Sequence, residues 1–164
     1  MHAPEFWRRN GLLPLLLSPA SAIWRRRTAA RIANASPVKV DRPVICIGNA
    51  VAGGAGKTPV AIAIGESLIR LGGKPHFLSR GYGGSLPGPA RVNPDQHDAR
   101  QVGDEPLLLA RHAPTWIARD RVAGAQAAVA AGAGVIVMDD GFQNPTLSKD
   151  ISIMVVDGGY GFGN

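Results

Sequence analysis

A three-layer α/β fold on a mostly parallel sheet is what this sequence predicts, and three observations predict it. Apolar runs rich in β-branched residues recur at Val44–Ile47, Val135–Met138 and Ile151–Val156. They lack polar alternation, as strands covered on both faces require. Segments of helical period separate them: Ala61, Ile64, Leu68 and Leu71 share one helix face, and an alanine-rich stretch runs to Ala131. The first run then passes through a glycine-rich turn into a helix. At 164 residues the chain is one domain's worth, and 45% hydrophobic against 18% charged content argues against wholesale disorder.

The net charge of +6 is concentrated at one end. Residues 1–42 hold eight basic and two acidic side chains, whereas residues 43–164 hold ten of each. The chain therefore divides into a basic amphipathic segment, 1–42, and an electrically balanced domain, 43–164, that holds the glycine-rich turn. A nucleic-acid partner gains no support from that balance. The single Cys46 lies inside an apolar run, so no disulfide framework exists within the chain, which suits a reducing compartment.

In the basic segment, Phe6, Trp7 and Trp24 flank Leu12-Leu13-Pro14-Leu15-Leu16-Leu17 and the clusters Arg8-Arg9 and Arg25-Arg26-Arg27. The leucine run is too short, and too broken by proline, to span roughly 30 Å of hydrocarbon. It suits a helix lying in the membrane interface and drawn to anionic lipid, with Ser18-Pro19 opening a helix over Ala20–Ala35. Two other readings stay open here. Arg8-Arg9, the leucines and Ala20-Ser21-Ala22 have the order of an export signal, although export would part a nucleotide site from its nucleotide. The helix could instead pack on its own domain.

The first core strand, Val44–Ile47, leads through Gly48-Asn49 into Val51-Ala52-Gly53-Gly54-Ala55-Gly56-Lys57-Thr58. Gly53, Gly54 and Gly56 let backbone N–H groups turn inward where side chains would block a polyphosphate. Lys57 brings charge for the β- and γ-phosphates of a nucleoside triphosphate such as ATP, Thr58 a hydroxyl for Mg²⁺, and the helix opening at Lys57 its positive end. The strict pattern has glycine where Val51 stands. The competing structural reading is an ordinary strand-to-helix turn with a solvated lysine.

A helix over Val60–Leu71 follows, closed by Gly72-Gly73, and then a short strand, His76–Ser79. Arg80-Gly81-Tyr82-Gly83-Gly84 falls at that strand's carboxyl end, the edge where open α/β sheets bind ligands. Residues 85–100 read as an exposed loop. Asp104 fits the N-cap of the next helix, with Pro106 in its first turn, or alternatively a carboxylate facing the nucleotide. Thr115–Ala118 is a strand, and Arg119-Asp120-Arg121 leads into the alanine-rich helix. Val135–Met138 then runs into Asp139-Asp140-Gly141, either an Asp-Gly turn or carboxylates reaching Mg²⁺ on the phosphates. The last strand, Ile151–Val156, gives way to a glycine-rich end.

With these segments in order, the chain resembles the tetraacyldisaccharide 4′-kinase family, which phosphorylates a lipid disaccharide with ATP in lipid A biosynthesis. The resemblance rests on Phe6-Trp7, Gly48–Pro59, Ser79-Arg80-Gly81-Tyr82-Gly83, Val102–Pro106, Arg119-Asp120-Arg121, Asp139-Asp140-Gly141-Phe142-Gln143 and Phe162-Gly163-Asn164. It implies a P-loop nucleotide-binding fold with Val51–Thr58 as the ATP loop, and Thr58, Asp139 and Asp140 serving Mg²⁺. It further implies Asp104 as the base-side residue toward the sugar hydroxyl, Lys57 and Arg121 stabilising phosphate charge, and Tyr82 and Gln143 lining the disaccharide site. The partners it implies are the lipid substrate and the lipids of the cytoplasmic face of the inner membrane.

Two departures accompany it. Asn144 stands where the family has His. The family also continues for about as long again beyond the position of Asn164, into a second, smaller part that carries a catalytic His. The chain thus reads as a fragment or truncated copy, expected to bind nucleotide weakly and to have little kinase activity. The rivals are a membrane-bound nucleotide-binding remnant without turnover and a P-loop GTPase or metallochaperone-type NTPase. The chain has no Asn-Lys-x-Asp segment to read guanine.

Overall fold

Strands with two faces to cover decide the architecture. The computed structural model describes residues 26, 27, 30, 35–49, 56–156 and 158. Its six strands are β1 (Val44–Asn49), β2 (Pro75–Ser79), β3 (Ala90–Arg91), β4 (Thr115–Ile117), β5 (Val135–Asp139) and β6 (Ile151–Val155). They form one sheet in the order β3-β4-β2-β5-β1-β6, parallel throughout except for the antiparallel β3–β4 pair at one edge. Every residue of β1, β2 and β5 is buried, which is why they read as continuous apolar runs.

Side chains alternate between the two faces. Val44, Cys46, Leu78, Ile136 and Met138 meet Ala125 and Ala128 of helix α4 (Arg121–Ala130) on one side. Ile47, Phe77 and Val137 meet Ala61 of helix α1 (Lys57–Arg70) on the other, together with Leu109 of helix α3 (Asp104–Leu109). Helices on both faces of the sheet make the three-layer α/β fold expected. Close packing needs glycine at two points. A Cβ on Gly65 would stand 2.5 Å from the Phe77 ring, and one on Gly124 would stand 2.7 Å from Leu78 Cδ1.

Helix α1 closes as expected at Gly72, φ 79°, where the Gly73 N–H donates to the Leu68 carbonyl. Helix α4 is capped by Asp120, whose carboxylate accepts from the N–H groups of Val122 and Ala123. Two expectations need correction. Residues 85–100 are not all loop: they include β3 and the start of helix α2 (Ala99–Val102), which opens with a reciprocal Asp98–Gln101 capping box. Asp104 is not an N-cap. Gly103 holds that position at φ 90°, a conformation that costs glycine little, and Asp104 becomes the first helical residue with no capping bond.

Upstream of β1, Val38 bridges to Leu147, and Val40 is buried in the core, so residues 38–40 pack with the sheet. Arg26, Arg27 and Ala30 are helical and exposed, and Ala35 is not helical; the rest of the helix expected over 20–35 lies outside the described residues. Among the described residues, no helix is long and apolar enough to cross a membrane. At the far edge of the sheet β6 has no second neighbouring strand among the described residues, and Ile151 and Met154 are about half exposed, at 53% and 51%.

Candidate functional site

Adjacency of β1 and β5 builds the site. Ile47 pairs with Asp139, so the carboxyl ends of the two strands lie side by side, and α1 begins just beyond β1. The Thr58 hydroxyl in the first turn of α1 donates to Asp139 Oδ2 over 3.1 Å. Asp139 is 1% exposed, and its other oxygen, Oδ1, has no hydrogen-bond partner. Burial pushes its pKa up to about 6; the Glu105 charge adds to the rise, and the Thr58 bond opposes it. A buried carboxylate oxygen left unpaired beside a hydroxyl is a donor set short of a cation.

Lys57 supplies one cation nearby. Its Nζ donates to Asn49 Oδ1 at 3.1 Å and lies 3.5 Å from Asp140 Oδ1. Asp140 sits at φ 54°, a left-handed backbone that turns the chain sharply off the end of β5. That turn is pinned. The Gly141 N–H donates to the Ile47 carbonyl, and Phe142 covers Gly48 so closely that any Cβ there would overlap its ring. Gly56, φ 77°, is the N-cap of α1; no side chain caps that end and no acidic residue enters its first turn. Val51, Ala52, Gly53, Gly54 and Ala55 lie outside the described residues.

Arg121 is 4% exposed and bonds to the Ala118 carbonyl, while its Nε is unpartnered. Burial lowers its pKa to about 10; neighbouring Arg80 lowers it further, and Asp140 and Asp139 pull the other way. Its charge therefore acts on the same carboxylates as Lys57. Asp104 and Tyr82 are exposed, and so is Gln143. The Tyr82 backbone packs against Gly103, the residue before Asp104: a Cβ on Gly103 would stand 2.6 Å from the Tyr82 carbonyl oxygen. Asn144 organises its own turn, its Oδ1 accepting from the N–H groups of Thr146 and Leu147 and from the Thr146 hydroxyl.

Three contributors escaped the sequence reading: Glu105, whose charge acts on Asp139, Arg80, whose charge acts on Arg121, and Asn49, which holds Lys57. Asn49 left a signal as a polar residue ending an otherwise apolar strand, and Arg80 opened the segment expected at the ligand-binding edge of the sheet, with no role assigned to either residue.

The family model for tetraacyldisaccharide-1-P 4′-kinase matches residues 12–164. Curated relatives called tetraacyldisaccharide 4′-kinase include proteins of Rhodospirillum rubrum, 54% identical over 164 residues, and Rhodospirillum centenum, 57% identical over 169. Each match takes in 100% of this chain and 50% of the relative, so the chain spans about half the length of the curated relatives it matches. Among solved structures, LpxK from Aquifex aeolicus in complex with ATP superposes with a TM-score of 0.73 at 29% identity, over 87% of this chain and 49% of that one. With the family model covering nearly the whole sequence and relatives above half identity, the chain belongs to the tetraacyldisaccharide-1-P 4′-kinase family.

Proposed function

We propose that the chain carries the nucleotide-binding part of an enzyme that transfers the γ-phosphoryl of ATP to the 4′-hydroxyl of a tetraacyldisaccharide 1-phosphate in lipid A biosynthesis. The observation that carries this reading is the bond from half-buried Thr58 to buried Asp139, with Asp139 Oδ1 unsatisfied among the described residues and Lys57 and Asp140 beside it. The ATP in the Aquifex aeolicus complex and the relatives' names support the nucleotide and the acceptor. The whole reads as a P-loop nucleotide-binding fold, followed in the family by a second, smaller part.

Residues 51–58 would wrap the phosphates, with Lys57 on the β- and γ-phosphates. Thr58, Asp139 and Asp140 fit Mg²⁺, because a buried unpaired carboxylate oxygen, a hydroxyl and a second carboxylate are the hard oxygen donors it takes. When bound, Mg²⁺ neutralises phosphate charge. The acceptor oxygen bonds to the γ-phosphorus as the bond to the β–γ bridging oxygen breaks and ADP leaves. Asp104, exposed at the head of α3, stands on the side that takes the hydroxyl proton. Lys57 and Arg121 offset the charge that spreads over the transferring group. Tyr82 and Gln143, both exposed, are placed to meet the disaccharide. The basic segment 1–42 holds the site against lipid at the cytoplasmic face of the inner membrane.

The test has two parts on the 164-residue chain. Titration with ATP and magnesium chloride should give saturable binding that Lys57→Met weakens tenfold or more without abolishing it; no binding, or binding indifferent to Lys57, would end the nucleotide reading. Incubation with γ-labelled ATP and the lipid acceptor should give little labelled lipid. Robust labelling would overturn the expectation that these residues alone lack full activity.

A further inference from the structure

A phosphate-binding lysine must keep its ammonium extended toward an empty space until the ligand arrives, and in this site acidic neighbours compete for it. Asp140 Oδ1 already forms an ion pair with Lys57 Nζ at 3.5 Å, which offsets part of the charge intended for phosphate. The second partner of the ammonium is neutral. Asn49, 5% exposed at the carboxyl end of β1, accepts through Oδ1 from Lys57 Nζ at 3.1 Å, a shorter contact than the one to Asp140.

The position of Asn49 is set by the sheet and not by the loop. It pairs in register with Val155 of β6, two residues beyond the Ile47–Asp139 pair that ends the contact with β5, so its backbone is held by β6. A carboxamide anchored in the sheet is a rigid acceptor for a flexible side chain eight residues along. Being uncharged, it orients the ammonium without neutralising it. An apolar residue would complete β1 in keeping with Val44–Ile47, yet a polar amide is buried there.

We infer that Asn49 is a positioning residue for Lys57, holding the ammonium toward the terminal phosphates of a nucleoside triphosphate by a neutral hydrogen bond that adds nothing to the partial neutralisation by Asp140. The inference rests on the triphosphate reading of the site above. Its distinctive consequence concerns charge. Asn49→Asp keeps the shape and the acceptor oxygen but pairs Lys57 with an anion, so it should weaken ATP binding at least as much as Asn49→Ala does.

The test is a double-mutant cycle on the 164-residue chain, with ATP and magnesium chloride as ligand, affinity by calorimetry and folding by thermal melts. Asn49→Ala should weaken ATP binding roughly tenfold, the scale of a hydrogen bond to a charged group. In a Lys57→Met background the same substitution should change affinity less than twofold, because the group it acts through is gone. Asn49→Asp should lower affinity by tenfold or more with its secondary structure retained by circular dichroism. Equal losses in both backgrounds, or an Asn49→Asp chain that binds ATP as the parent does, would overturn the inference while leaving the triphosphate reading intact. A Lys57→Met chain that binds ATP normally would overturn both.

Discussion

The hydroxyl of Thr58 donates to a carboxylate oxygen of Asp139 across 81 residues of sequence, joining the first turn of α1 to the end of β5. That single bond leaves Asp139 with one oxygen satisfied and one not, in a place water barely reaches. The ligand-free chain therefore carries a carboxylate whose ionisation costs the fold.

A rise in pKa from 3.8 to about 6 means that the folded state holds the proton more tightly, so ionised Asp139 destabilises the fold above that value by about 3 kcal/mol. That cost is relieved as pH falls from about 6 toward 3.8. Asp139→Asn should raise the thermal midpoint of the ligand-free chain at pH 7.5, the gain shrinking toward pH 5, while Mg²⁺-dependent ATP binding falls. Melts at both pH values check the first part and calorimetry the second.

Arg121 has the same character with opposite charge. Its guanidinium is buried with Nε unpartnered, and its pKa is pulled down to about 10, so it stays charged at neutral pH at a cost to the fold. Arg121→Met, which keeps the length and removes the charge, should stabilise the chain by about 1–3 kcal/mol. Urea unfolding measures it. A loss of similar size would mean that the bond to the Ala118 carbonyl outweighs the buried charge.

Gly103 ties the Tyr82 turn to the head of α3. At φ 90°, with a would-be Cβ 2.6 Å from the Tyr82 carbonyl oxygen, Gly103→Ala strains both backbones. It should cost about 2–3 kcal/mol in denaturant unfolding. Gly132, also at φ 90° but with nothing within 4 Å of an added Cβ, is the control: Gly132→Ala should cost about half as much or less.

The exposed Arg26 and Arg27 offer a measure of the membrane reading. Each arginine near an anionic surface contributes about 1 kcal/mol. Replacing both with Glu should therefore lower binding of the 164-residue chain to phosphatidylserine-containing vesicles by tenfold or more, with little effect on neutral vesicles. Co-sedimentation at low and physiological salt decides it. Unchanged binding would place the contact elsewhere on the chain.

Much of this fold was legible because burial on two faces leaves a plain mark. Val44–Ile47 and Val135–Met138 had to be strands, and Gly72-Gly73 had to end a helix. Places where a backbone angle decides leave no such mark. Nothing in the letters Gly103-Asp104 says that the glycine turns left-handed and takes the cap, although Asp98 and Gln101 do stand at capping-box spacing. The site residues are visible in local pattern, but their meeting depends on β1 lying next to β5. Periodicity along the chain does not order strands across a sheet. Hence Asn49 against Lys57, and Glu105 near Asp139, emerge only with the topology.

The edge strand β6 has a consequence for how this chain behaves in bulk. From Ile151 to Val155 it contains no charge and no proline, and with Ile151 and Met154 exposed it lies at an edge that no other strand among the described residues pairs with. Such an edge recruits its like, so the shelf life of a solution would be set by collisions between folded molecules more than by unfolding. Concentration, not temperature, becomes the variable to control, and a single lysine at Met154 would act as a colloidal brake.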